Sequence, residues 1–129
     1  MKVAIQLYSV KERMRKDGPG TMQSVAKLGY KFIEPFAHPM WTSDSDELKA
    51  EESFGLNMNR KEAKSFLDGN GISVIGAHYY YPGNNAFEAM CDYYASLGSK
   101  AIGSGGDFFP GGMDELKENW IHIGRHAGV

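Results

Sequence analysis

The hydrophobic and polar positions of this chain alternate between two periods. Short apolar runs at residues 3–8 (VAIQLY), 32–36 (FIEPF), 74–78 (VIGAH) and 101–103 (AIG) are too brief for helices and suit buried strands. Between them apolar residues recur every three or four positions, the spacing of an amphipathic helix. Met22, Val25 and Ala26 predict a helix through Leu28, with Thr21 as its N-cap. Asn59 followed by Glu62 reads as a capping box opening a helix that buries Ala63, Phe66 and Leu67. Phe87, Met90, Cys91, Tyr94 and Leu97 form the next stripe, capped by Asn84 or Asn85. Leu116, Trp120, Ile123 and Ala127 form the last, on a helix from Met113 to Ala127.

Glycines punctuate these elements at one place. Gly29, Gly71 and Gly98 each follow a helical stretch, and each has Ile four residues on. That is the position just past a helix end, where a left-handed backbone disfavours a Cβ. Gly128 repeats it once more. The resulting order, β-α four times over, implies a parallel sheet with right-handed crossovers. Two architectures satisfy it: an open doubly wound sheet, or part of a (β/α)8 barrel of about 250 residues. At 129 residues the second reading is an α/β chain forming the (β/α)4 half of a TIM barrel, with residues 1–129 as a single unit that is incomplete beside eight repeats.

Composition narrows the function classes. Hydrophobic residues make up 42% and aromatics 12%, which excludes intrinsic disorder. Fourteen Lys and Arg against 16 Asp and Glu leave a net charge of −2, so nothing argues for a nucleic-acid partner. No apolar run is long enough to span a membrane, and the N-terminus lacks the pattern of a secretory signal. The single cysteine, Cys91, excludes an intrachain disulfide and a cysteine zinc site, and its helix position reads as inert core. The expectation is a cytoplasmic protein with neither nucleic-acid nor membrane partner.

Five segments carry a family resemblance. QLYSVKERMRKD (6–17), AKLGYKFIEPF (26–36), ISVIGAHYYYP (72–82), YASLGSKAIGSGG (94–106) and GRHAGV (124–129) follow one another in the order found in the sugar phosphate isomerase/epimerase family. These are xylose isomerase-like TIM barrels, related to the type-IV AP endonucleases, and the resemblance is to their N-terminal half only. It implies metal-dependent isomerisation or epimerisation of a small sugar or sugar phosphate. In that family the divalent metal (Mn, Mg or Zn) is held by Glu, Asp and His side chains of the later strands. This chain by itself is therefore expected to bind no metal and to be inactive. Two other readings stay open: a non-catalytic half-barrel that self-associates as a homodimer through its open edges, and an AP endonuclease-like DNA repair fragment.

Functional groups of a barrel sit at the C-terminal strand ends. By that rule and by the resemblance, Gln6, Tyr8, Glu34 and His78 are the substrate-binding candidates, and no catalytic residue is assigned. Gln6 would bond sugar hydroxyls, and Tyr8 would stack on a sugar ring or donate its hydroxyl. Glu34, a carboxylate in an apolar strand, needs a partner because burying it alone costs several kcal/mol, on the order given by transfer data. His78 would face substrate or, as in the endonuclease branch, ligate metal; Tyr79 and Asn84 follow it only loosely as that branch requires. The plainer reading of each is interior packing with a satisfied polar tip.

Other groups have bland and functional readings side by side. Phe36, Trp41, Tyr79–Tyr81, Phe108 and Phe109 suit the apolar side of a sugar, or simply pack loops. Lys11, Arg13, Arg15 and Lys16 would attract a phosphate, or are merely solvated. The stretch from Asp44 to Glu52, with Asp46 and Glu47, reads as a solvated excursion. His122 and His126, four apart, suit the end of a helix better than a metal clamp. Residues 103–112 are glycine-rich, but Gly112 and Met113 stand where a P-loop needs Lys and Ser or Thr, and Phe108 replaces the third Rossmann glycine.

Overall fold

The structure, a computed structural model, describes residues 3–37, 55–79 and 91–104. β1 (Ala4–Gln6) leads into a 3-10 turn over Leu7–Val10, then α1 (Lys11–Lys16) and α2 (Gly18–Lys27). β2 (Phe32–Glu34) and β3 (Phe36–Ala37) follow, then α3 (Arg60–Gly69), β4 (Ser73–Val74) and β5 (Ala77–Tyr79). A helix over residues 91–96, α4, precedes β6 (Ile102–Ser104).

β2 and β3 are halves of one extended segment, broken at Pro35, which has no N–H to give a ladder. β4 and β5 are separated in the same way by Ile75 and Gly76. Pairing carries across both breaks: Ile75 N–H donates to Ile33 O at 3.1 Å, and His78 N–H donates to Pro35 O at 2.8 Å. The sheets run β1-β2-β4 and β3-β5-β6, and every pairing is parallel. The segments therefore lie side by side in chain order, without the reversal that defines a doubly wound sheet. That decides between the two architectures in favour of barrel winding.

Register divides the sheet into two faces. Ile5 pairs Ile33, which pairs Val74, and Ala77 pairs Ile102. With buried Pro35, these residues form the face that packs against the helices. Leu7, Met14, Met22, Val25, Leu67, Tyr94 and Leu97 cover it. Each large aliphatic side chain so buried contributes about 1.5–3 kcal/mol. The opposite face carries Phe32, Glu34, Phe36, Gln6 and His78, all only half-buried. In a closed barrel that face lines the interior.

The helix ends match expectation closely. Gly29, Gly71 and Gly98 have φ of 93°, 66° and 94°. At each, the glycine N–H bonds the carbonyl three residues back and the next N–H bonds the carbonyl five back: Gly71 to Asp68 O at 3.0 Å, and Ile72 to Leu67 O at 2.9 Å. This is the Schellman arrangement. The capping box is also present, with Asn59 Oδ1 accepting from Glu62 N–H at 3.0 Å and Glu62 Oε2 accepting from Asn59 N–H at 3.1 Å.

Several boundaries differ from the sequence reading. The first strand stops at Gln6, because the chain turns to bury Leu7. α1, which the apolar pattern did not single out, is anchored by Met14 alone. α2 is capped by Asp17 rather than Thr21: Asp17 Oδ1 accepts from Gly20 N–H at 2.8 Å, and Pro19 supplies the fixed φ of a first turn. Thr21 lies inside α2, its hydroxyl donating to Asp17 O at 2.7 Å. The isoleucines four past each glycine are not equivalent, since Ile33 pairs Val74 while Ile75 is 48% exposed at the strand break. α4 buries Tyr93 as well as Tyr94; the Tyr93 hydroxyl donates to Met58 O at 3.2 Å, and Cys91 is only half-buried. The caps at Asn84 or Asn85, Phe87, Met90 and the helix from Met113 lie outside the described residues.

Opposite signs are expected at two neighbouring glycines. Gly71→Ala forces a Cβ into a left-handed backbone and should cost about 1–2 kcal/mol, although the nearest atom to that Cβ is Lys31 Nζ at 3.7 Å. Gly69→Ala, in the helix with nothing within 4 Å, should stabilise by about 0.5 kcal/mol. Urea denaturation midpoints measure both; equal effects would contradict the cap assignment.

Candidate functional site

The strand ends bring the four predicted residues to one side of the sheet. Gln6 pairs with Glu34 at the ends of β1 and β2, so their side chains leave the same face side by side. His78 pairs with Phe36 on one side and Gly103 on the other. The break at Pro35 advances the backbone so that its carbonyl receives the His78 N–H, and this sets His78 within reach of Glu34. His78 Nδ1 lies 3.5 Å from Glu34 Oε1, and the two side chains are 36% and 35% exposed. At that separation the pair is a close approach rather than a strong hydrogen bond.

Phe36 joins the remaining members. Its ring stacks on the His78 imidazole with centroids 6.0 Å apart and planes at 28°. It also meets Tyr8 edge-on, at 4.8 Å and 70°. Tyr8 sits in the 3-10 turn just past β1, 44% exposed. Its hydroxyl accepts from Lys11 Nζ at 2.9 Å, and the same ammonium lies 4.0 Å from the ring centroid. A Cβ at Gly103 would stand 3.5 Å from His78 Nδ1, so the absence of a side chain there keeps the imidazole open.

The arrangement therefore unites Gln6, Glu34, His78, Phe36, Tyr8 and Lys11. Sequence reasoning left Phe36 as one aromatic among many and Lys11 as part of a basic run. The signal for Lys11 was its three-residue distance from Tyr8, which becomes a contact once the chain coils there. Gly103 carried no signal, because its part follows from pairing with His78. Arg13, Arg15 and Lys16 are exposed, and Arg15 lies 3.9 Å from Glu12. Trp41, Tyr80, Tyr81, Asp44, Asp46, Glu47, Phe108, Phe109, His122 and His126 lie outside the described residues.

Chemically, the site offers a carboxylate acceptor, an amide with both donors and acceptor, an imidazole and two aromatic faces. Those groups suit a polyhydroxylated ligand. A divalent ion takes three or more protein donors in most tight sites. Glu34 and His78 supply two, and among the described residues no group of three or more His, Cys, Asp or Glu could hold one. These residues alone do not fit a metal centre. Among the described residues, no helix is long and apolar enough to cross a membrane.

No family model matches the chain, and no curated protein matches its sequence. A solved structure does match: a sugar phosphate isomerase/epimerase from Parabacteroides distasonis ATCC 8503, with a TM-score of 0.55 and 20% identity. The match covers 79% of this chain and 37% of that one. Likeness at this identity speaks to fold, and the fold it supports is the TIM-barrel half already indicated by the strand order. The chain spans well under half the length of that protein.

Phe36→Leu keeps most of the apolar volume and removes both ring contacts. It should lower stability by about 0.5–1.5 kcal/mol and abolish the ring-current displacement of the His78 imidazole protons in the NMR spectrum. Unchanged His78 shifts would show that the stack does not exist in solution.

Proposed function

We propose that residues 1–129 form one unit, the N-terminal (β/α)4 part of a sugar phosphate isomerase/epimerase-like barrel, and that its strand ends bind a small sugar or sugar phosphate. One observation carries this reading: Gln6, Glu34 and His78 meet at adjacent strand ends, on the sheet face opposite the helices, with Phe36 between His78 and Tyr8. The resemblance in sequence and the solved neighbour point to the same ligand class.

Within this reading each residue has a defined task. Glu34 accepts from a sugar hydroxyl, while the Gln6 amide beside it donates to one oxygen and accepts from another. His78 holds a further hydroxyl on the side that Gly103 leaves open. Tyr8, 44% exposed, offers its ring to the C–H side of the sugar, and Phe36, packed against both Tyr8 and His78, sets the two rings. The task is binding and orientation. A divalent metal would need ligands beyond Glu34 and His78, so no isomerisation step is assigned to this set of residues.

D-ribulose and D-fructose are suitable neutral probes. Saturable shifts of the His78 and Tyr8 resonances are expected, and Glu34→Gln or His78→Asn should weaken binding about tenfold, as loss of a hydrogen bond to a charged or buried partner does. Gly103→Leu should cover the imidazole and abolish binding while the thermal transition persists. Absence of any saturable shift would remove the sugar-binding reading.

Self-association is favoured as a second reading by a separate observation. Among the described residues, β1 bonds only to β2 and β6 only to β5, so each offers a strand edge. Exposed edges recruit other strands, including those of a second copy. Sedimentation should then show a monomer–dimer equilibrium for this chain across micromolar concentrations; a monodisperse monomer would exclude it.

A further inference from the structure

The site has an electrical direction that the sugar-binding reading does not use. Glu34 meets His78, and His78, Phe36 and Tyr8 are joined by successive ring contacts. Lys11 lies over the Tyr8 ring and is bonded to its hydroxyl. Tyr8 Oη accepts from the ammonium, so its own proton remains to donate outward. An ammonium has three donors, and Tyr8 takes one. Among the described residues no carboxylate lies within ion-pair distance of Lys11, whereas Arg15 has Glu12 and Lys64 has Asp68. Tyr8 is 44% exposed, so the ammonium and the phenol proton converge on a place a ligand can reach.

An anionic group placed beside Glu34 would be repelled, and one placed beside Lys11 attracted. Hydroxyls therefore suit Glu34 and His78, and negative charge suits Lys11. We infer that Lys11, held by Tyr8, is a specificity-determining residue that selects sugars bearing a terminal anionic group, a phosphate ester or a carboxylate. Lysine meets such a group as a point charge, and charge-assisted bonds of this kind are about twice as strong as neutral ones. A cation with no such role would only cover the Tyr8 ring, and its loss would then affect charged and neutral ligands alike. The inference rests on the sugar-binding reading of the same site.

Titration of the full chain with D-ribulose, D-ribulose 5-phosphate and D-ribonate, followed through the Tyr8 and His78 resonances, separates the possibilities. At low salt, an anionic sugar should bind about tenfold or more tighter than D-ribulose, and the preference should shrink as sodium chloride is added. Lys11→Met should weaken binding of the anionic sugars about tenfold more than binding of D-ribulose and so erase the preference, whereas Lys11→Arg should retain most of it. Thermal melts of both variants control for folding. Preference for the 5-phosphate alone identifies a phosphate ester, and preference for both anionic probes identifies a general anion site; either supports the inference. Equal affinity for all three probes, or a preference that survives Lys11→Met, overturns it while sugar binding stands. Failure of every probe to bind overturns the sugar-binding reading, and the inference with it.

Discussion

A slip of one residue in the pairing of β1 with β2 would turn Ile5 out of the core and drive Gln6 into it, or exchange Ile33 for Glu34 in the same way. Side chains alternate along a strand with a period of two, so register assigns every residue to a face. The observed register, Ile5 to Ile33 to Val74, hands the apolar set to the helices. Burial of Ile33 and Val74 against Leu7, Met22 and Leu67 makes any slip costly, because it would also strand a carboxylate among aliphatic side chains. The polar face is thus a consequence of the apolar one. Gln6 and Glu34 lie together because the residues next to them in sequence are locked in place.

The two strand breaks serve the same arrangement. An uninterrupted pairing would have continued the first ladder, but Pro35 has no N–H to offer and β2 ends before it. Its carbonyl remains available, and the N–H of His78 takes it. On the neighbouring segment, Ile75 and Gly76 take up the break, and Ile75 is the exposed residue there. The outcome is that His78 arrives beside Phe36 and close to Glu34, although the two lie 44 positions apart in the chain with α3 between them. Sheet geometry, and not local sequence, creates the pair.

The face so formed is chemically graded. A carboxylate, an amide and an imidazole suit hydroxyl groups, and an ammonium rests on a phenol. Between them lie ring faces with little to offer but contact area. Such a set of groups matches the ligand proposed above, polar throughout and charged at one end. The position of the site, at the C-terminal ends of parallel strands, is where this architecture presents functional groups.

Much of this was legible in the residues themselves. The glycines at 29, 71 and 98 mark helix ends because only a residue without Cβ takes a left-handed backbone cheaply, and Asn59 with Glu62 caps α3 through contacts three residues apart. Gln6, Tyr8, Glu34 and His78 are singled out by their strand-end positions together with the family resemblance, and barrel winding brings them to one side of the sheet. Where the reading slipped, competing local options decided: Asp17 outdid Thr21 as a cap once Pro19 fixed the first turn, and Leu7 curled into the core and ended β1 early. Local chemistry thus determined the helices, their ends and the parallel β-α order, since those depend on contacts within a few residues. Strand order, the offset between Ile33 and Ile75, the Phe36 stack and the Lys11–Tyr8 contact with the rest of the site were decided only by tertiary structure. Register across distant strands sets those relations, and no short stretch of sequence contains it.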